Sequence, residues 1–269
     1  MQNNLFEQAC EALQCCYPAE KVQLSYQLAD VWAQQPTYPE ITTPPLAIGE
    51  AGRPLRPELV SPRELSRRSV QTQEGRNILA HALAHIKFNA INLALDAVYR
   101  FRDMPVDYYT DWIRVAREEA YHFSLLNDYL QQHGCHYGAY TAHNGLWEMA
   151  RKTAHDVLVR MALVPRVLEA RGLDVTPGII ARLEQVDDQG FVDCLQIIHR
   201  DEIGHVAIGS HWFKHLCQQR NLEPLATFKQ LIQDYMKGNL KGPFDEVARQ
   251  QAGFSATEMQ GLNAMTLEA

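Results

Sequence analysis

Two copies of Glu-x-x-His, at Glu119–His122 and at Glu202–His205, constrain this chain more than any other feature. Positions i and i+3 share one face of a helix, so each motif presents a carboxylate and an imidazole in the same direction. Apolar residues recur around each motif at alternating three- and four-residue steps. Trp112, Val115, Leu126 and Tyr129 flank the first; Leu195, Ile198, Gly209 and Trp212 flank the second. Both motifs therefore fall on the stripe that an amphipathic helix buries. Ionisable groups on such a stripe are costly unless they are paired or bind a metal. Two helices so equipped offer a large part of the ligand set of a di-metal carboxylate centre in a four-helix bundle.

The rest of the pattern is helical. Residues 3–16 and 19–34 read as a hairpin of two helices. Residues 35–64 hold seven of the 13 prolines (Pro36, Pro39, Pro44, Pro45, Pro54, Pro57, Pro62) and read as an extended arm. Leu46, Ile48, Leu55, Leu59 and Val60 are its expected apolar contacts. Ser61-Pro62-Arg63-Glu64 has the spacing of a capping box with proline at the first helical position. Long helices are expected over 71–102, 106–133, from Asn144 to a C-cap at Gly172, and over 189–220. Shorter ones follow at 176–187, 223–237, 244–252 and 256–264. The fold expected is all-α: a bundle over 65–222, preceded by the hairpin and arm (1–64) and followed by a helical extension (223–269).

Composition narrows the partners. With 25 Lys+Arg against 32 Asp+Glu the net charge is −7, which gives no support to nucleic acid as a partner. No run of about 18 apolar residues suggests a membrane span. The first nine residues lack the basic and apolar regions of a signal peptide. Cys10, Cys15, Cys16, Cys135, Cys194 and Cys217 form no C-x-x-C and read as reduced thiols of a cytoplasmic protein. Oligomeric state is open.

The other expected helices decide how complete a metal centre is. Glu169 shares a stripe with His155, Leu158, Ala162 and Pro165 and is a candidate ligand; Pro165 should kink its helix one turn earlier. The stripe Ala80, Ala84, Lys87, Ile91, Ala94, Val98 carries a cation where a carboxylate is due. His81 and His85 (i, i+4) lie on an adjacent face and read as packing residues, while Asn89 and Asn92 would be weak oxygen donors. Tyr121 lies between the motif residues but about 100° round the helix from His122; a redox role and simple packing both fit it. Asp201 fits either a contact to a histidine or a surface pair with Arg200 or Arg117.

Several stretches resemble the ferritin-like family called domain of unknown function 455: residues 85–105, Trp112–Phe123, His143–Met149, Leu163–Asp174 and Arg200–Gly209. The resemblance runs over most of residues 1–255. It implies a ferritin-like four-helix bundle with a di-metal site whose ligands are Glu119, His122, Glu169, Glu202 and His205. The family shows His-x-Glu where this chain has His85-Ile86-Lys87, so one ligand is replaced by Lys87.

Three consequences of Lys87 are open on the sequence. Its ammonium can pair with Glu119 or Glu202 and stand in for one metal. It can lose its proton and act at the site. Or its stem can carry the charge away. The ligand set suits iron or manganese, with zinc as a further option; one ion, two or none are compatible with it. The functions this suggests are a non-haem iron or manganese oxidoreductase acting on a small molecule, with Lys87 and Tyr121 as candidate catalytic residues, or a metal-poor scaffold that binds a partner. Fold analogy alone adds a tRNA-modifying hydroxylase.

Overall fold

The structure, a computed structural model, describes residues 4–36, 44–66, 69–237 and 240–267. It is an all-α helical bundle, as expected. The helices are α1 (Leu5–Gln14), α2 (Pro18–Gln34), α3 (Gln73–Arg100), α4 (Val106–Gln132), α5 (Gly145–Lys152), α6 (Val157–Leu163), α7 (Ala170–Glu184), α8 (Gln189–Gln219), α9 (Pro224–Met236), α10 (Glu246–Gln251) and α11 (Ala256–Leu267). No strand occurs among the described residues; Leu59 and Ala142 form an isolated bridge. The chain divides into two compact units.

The first unit comprises Met1–Arg151 with Val186–Cys194. Here α3 packs along α4, α1 packs on α3, α2 packs on α4, and α1 and α2 pack on each other. Local chemistry fixes where these helices begin. Asn4 and Glu7 close a reciprocal capping box on α1, and Pro18 opens α2. Thr72 caps α3 through the amide of Gly75. The Ser61–Glu64 capping box forms as well, but it starts only the 3-10 turn Pro62–Glu64. Helix α3 begins later, at its own cap.

The α3 stripe of Ala80, Ala84, Lys87, Ile91, Ala94 and Val98 is buried throughout. This helix has the length and mean hydropathy to cross a membrane, yet 83% of its most apolar window is buried within the protein. Asp188 accepts the Phe191 amide at the start of α8, the Tyr129 hydroxyl at 2.7 Å and the Arg76 guanidinium at 2.7 Å.

The proline-rich segment is described except for 37–43; Pro39 lies outside the described residues. Its contacts are more polar than its sequence suggests. Leu46 and Leu55 are exposed, Leu59 and Val60 are half-buried, and of the five expected apolar contacts only Ile48 is buried. Hydrogen bonds hold the segment instead: Gly52 N to Leu13 O, the indole of Trp147 to Gly49 O, and an exchange between Glu58, Val60 and Ala142.

The second unit comprises Lys152–Gln185 with Leu195–Ala269. It corrects the expected continuous helix from 144 to 172. Asp156 is a helix cap: its carboxylate accepts the Leu158 amide at 2.8 Å and so starts α6 afresh. Thr153 accepts from Arg160 at 2.7 Å at the same break. His155, expected on the buried stripe, is exposed at this cap and meets the Tyr235 hydroxyl at 3.0 Å. Gly172 is not a C-cap. Helix α7 runs through it and through Pro177 to Glu184, because an internal glycine costs only about 0.5–1 kcal/mol and burial of Leu173, Thr176, Ile179 and Leu183 offsets that.

Pro165 does perturb its helix. Lacking an N–H, it sits in a π turn, Val164–Glu169, closed by the Ala170 amide on Pro165 O. Gly209 of α8 makes room for it: a Cβ there would lie 2.3 Å from both Cβ and Cγ of Pro165. Next along the turn, Arg166 is fully buried among Phe213, Phe228 and Phe254, with ring centroids 4.6, 4.2 and 4.5 Å from its guanidinium, and it pairs with Glu258.

Candidate metal centre

Glu119 and His122 are carried by α4, one turn apart, and both are buried. Their side chains touch, with His122 Nδ1 3.3 Å from Glu119 Oε2. The second carboxylate oxygen, Oε1, accepts from Lys87 Nζ at 3.2 Å. Lys87 is itself buried on α3. Of the three fates the sequence left for this lysine, the third does not occur: the side chain stays in the core, with Nζ on a carboxylate of the Glu-x-x-His motif. A buried carboxylate and ammonium each lose several kcal/mol of solvation, so each needs the other in the metal-free protein.

Glu202 and His205, one turn apart on α8, are buried too. One ligand atom from each of Glu119, His122, Glu202 and His205 can be chosen so that all lie within 4.8 Å of one another. Two carboxylate oxygens and two imidazole nitrogens suit iron, manganese or zinc. The buried Glu/His cluster could hold a metal ion.

Glu169, the remaining residue that the sequence marks as a ligand, is half-buried at the end of the π turn, and the cluster of four does not include it. Tyr121 is 42% exposed, with its ring centroid 6.3 Å from that of His122. Asp201 pairs with its neighbour Arg200 at 2.9 Å. Asn92 accepts from Lys21, and Asn89 donates to His85.

Sequence reasoning passed over Lys21. Its ammonium is buried and donates to Ala12 O, Leu13 O and Asn92 Oδ1 at 2.9, 2.7 and 2.6 Å. It terminates α1 by satisfying carbonyls that the helix leaves open. Lysine on the apolar stripe of α2 was the available signal.

The sequence profile described as "Protein of unknown function (DUF455)" matches residues 14–260. The chain belongs to the DUF455 family. A relative from Haemophilus influenzae (strain ATCC 51907 / DSM 11121 / KW20 / Rd), described as "Uncharacterized protein", is 44% identical over 264 residues. That alignment covers 94% of this chain and 92% of the relative. No solved structure matches. Within this DUF455 chain the six cysteines are free thiols.

Proposed function

We propose that this DUF455 protein is a ferritin-like metalloprotein that holds a single iron or manganese ion and acts as an oxidoreductase on a small organic molecule. Glu119, His122, Glu202 and His205 would hold the ion, with Glu169 as a further carboxylate at its edge. The observation that carries the single-ion reading is the Lys87 ammonium hydrogen-bonded to Glu119 Oε1.

Charge is the reason. Three carboxylates supply three negative charges. One divalent ion and one ammonium balance them, whereas two divalent ions and an ammonium would leave two uncompensated positive charges in a buried site, at a cost of several kcal/mol each. Glutamate at position 87 would reverse this account: four carboxylates balance two divalent ions.

When bound, iron or manganese supplies one-electron and oxygen chemistry. The chain's own residues do the rest. His122 is oriented through Nδ1 against Glu119 Oε2, and Lys87 Nζ holds a proton within reach of the same carboxylate. Lys87 is then a candidate proton donor at that edge of the site.

The test is metal content after purification from iron- and manganese-supplemented growth, for the native protein and for Lys87→Glu. The expected result is one ion per chain in the native protein and two in the variant. Two ions in the native protein would overturn the single-ion reading. No ion in the native protein, even after reconstitution, would favour a metal-free scaffold.

A further inference from the structure

In the second unit, two contacts fix how the stretch from Asp156 to Glu169 runs along α8. At one end Arg220, just past α8, donates through Nη1 and Nη2 to Asp156 Oδ2 and Oδ1 at 2.6 and 2.8 Å. At the other, Pro165 packs on Gly209. The contacts come in opposite order on the two segments, so these run antiparallel. Nine residues separate the contacts on one side and eleven on the other. At 1.5 Å per helical residue these are rises of about 14 and about 17 Å, and the length of the Arg220 side chain spans the difference. Arg166 agrees with this direction. A helical side chain leans toward the N-terminus, and the Arg166 guanidinium lies on Phe213, one turn C-terminal of Gly209.

Four residues beyond Pro165, the same register sets Glu169 opposite His205, one of the four clustered residues. The contact at Gly209 then decides how near the two segments come. A Cβ at 209 would lie 2.3 Å from Cβ and Cγ of Pro165 and 3.7 Å from its Cα. Unstrained carbon atoms meet at about 3.5–4.0 Å, so a methyl group there would push the turn back by more than about 1 Å. The proline ring is closed on its own backbone and has no free rotamer to retreat into. Metal–ligand distances hold to about 0.2 Å, so a shift of that size takes a ligand on the turn out of bonding range.

We infer that Gly209 is a positioning residue of the metal centre: its missing Cβ lets Pro165 close on α8, and that closure carries the Glu169 carboxylate to the ion beside His205. The inference rests on the metal centre proposed above and adds what completes it. Glu169 supplies a charged oxygen. Gly209 and Pro165 bring no ligand atom of their own and set where that oxygen goes.

The test titrates the chelator-stripped full chain with manganese(II) and, without oxygen, with iron(II), and reads bound metal by equilibrium dialysis. Glu169→Gln and Gly209→Ala should each weaken binding on the order of 10–100-fold. With both substitutions the loss should be no larger than with either alone, because they act through one carboxylate. Pro165→Gly clears the space and should restore binding to Gly209→Ala. Ile232→Val, a buried substitution in the same unit, controls for lost stability and should bind as the native protein does. Native affinity in Gly209→Ala or in Glu169→Gln, additive losses in the double variant, or an equal loss in Ile232→Val would overturn the proposal and leave the metal centre standing. No ion bound by the native protein would overturn both. If Gly209→Ala fails to fold, Glu169→Gln and the Gly209→Ala/Pro165→Gly pair still decide the outcome.

Discussion

A lysine at position 87 changes what a pair of Glu-x-x-His motifs can mean. The motifs themselves were legible as buried features, since their flanking apolar residues fixed the face they share. The presence of Lys87 on a core stripe was legible too. Its direction was not: a four-carbon stem can carry its charge several ångströms either way, and only packing settles it on Glu119. The group of His81, His85 and Tyr137, whose ring stacks on both histidines, was half legible. The i, i+4 histidines were visible, but Tyr137 comes from a loop that no periodicity ties to α3.

That group gives the residue-scale prediction. Burial holds His81 at about 4 and His85 at about 3, against about 6.5 in the unfolded chain. On His81 the neighbour His136 acts in the same direction. On His85, His81, His143 and Arg53 do so, while a hydrogen bond with the His143 backbone works against them. Below about pH 6.5 the unfolded chain therefore binds protons that the fold refuses. Their contribution to stability is complete above about pH 6.5 and is lost as pH falls toward about 4 and 3. The slope approaches about 1.4 kcal/mol per pH unit for each histidine. Denaturant midpoints between about pH 7 and pH 5 should fall steeply for the native protein and less steeply for His81→Phe. Parallel slopes would show that His81 is not held neutral.

At the scale of elements, the long helices α3, α4 and α8 were legible within a residue or two, because uninterrupted apolar periodicity leaves a chain little choice. The segment between α4 and α8 was not. Asp156 acts as a cap inside a run that periodicity alone reads as helix, and Gly172 and Pro177 are absorbed into α7 because its buried face outweighs their local preferences. The π turn at Pro165 depends on Gly209 in α8, a pairing that no local signal discloses. Gly209→Ala places a methyl group against the proline ring and should destabilise the protein by about 1–3 kcal/mol. Combined with Pro165→Gly the losses should be markedly less than additive. Chemical denaturation of the two single variants and the double variant checks this; simple additivity would mean that the close approach carries no energy.

For the whole molecule, an all-α fold was the plain consequence of its composition and periodicity, and family membership extends it to the Haemophilus influenzae relative over nearly the full length of both chains. The residual question is electrostatic. A buried centre must come close to neutrality, and in the proposed centre the ammonium on Glu119 would take up a charge that a second ion would otherwise supply. The measurement that tests this most directly is an anomalous-scattering map, at the iron and manganese edges, from crystals of protein purified with those metals. The account predicts one peak, enclosed by Glu119, His122, Glu202 and His205, with Lys87 still on Glu119. Two peaks bridged by the glutamates, or no peak at all, would contradict it.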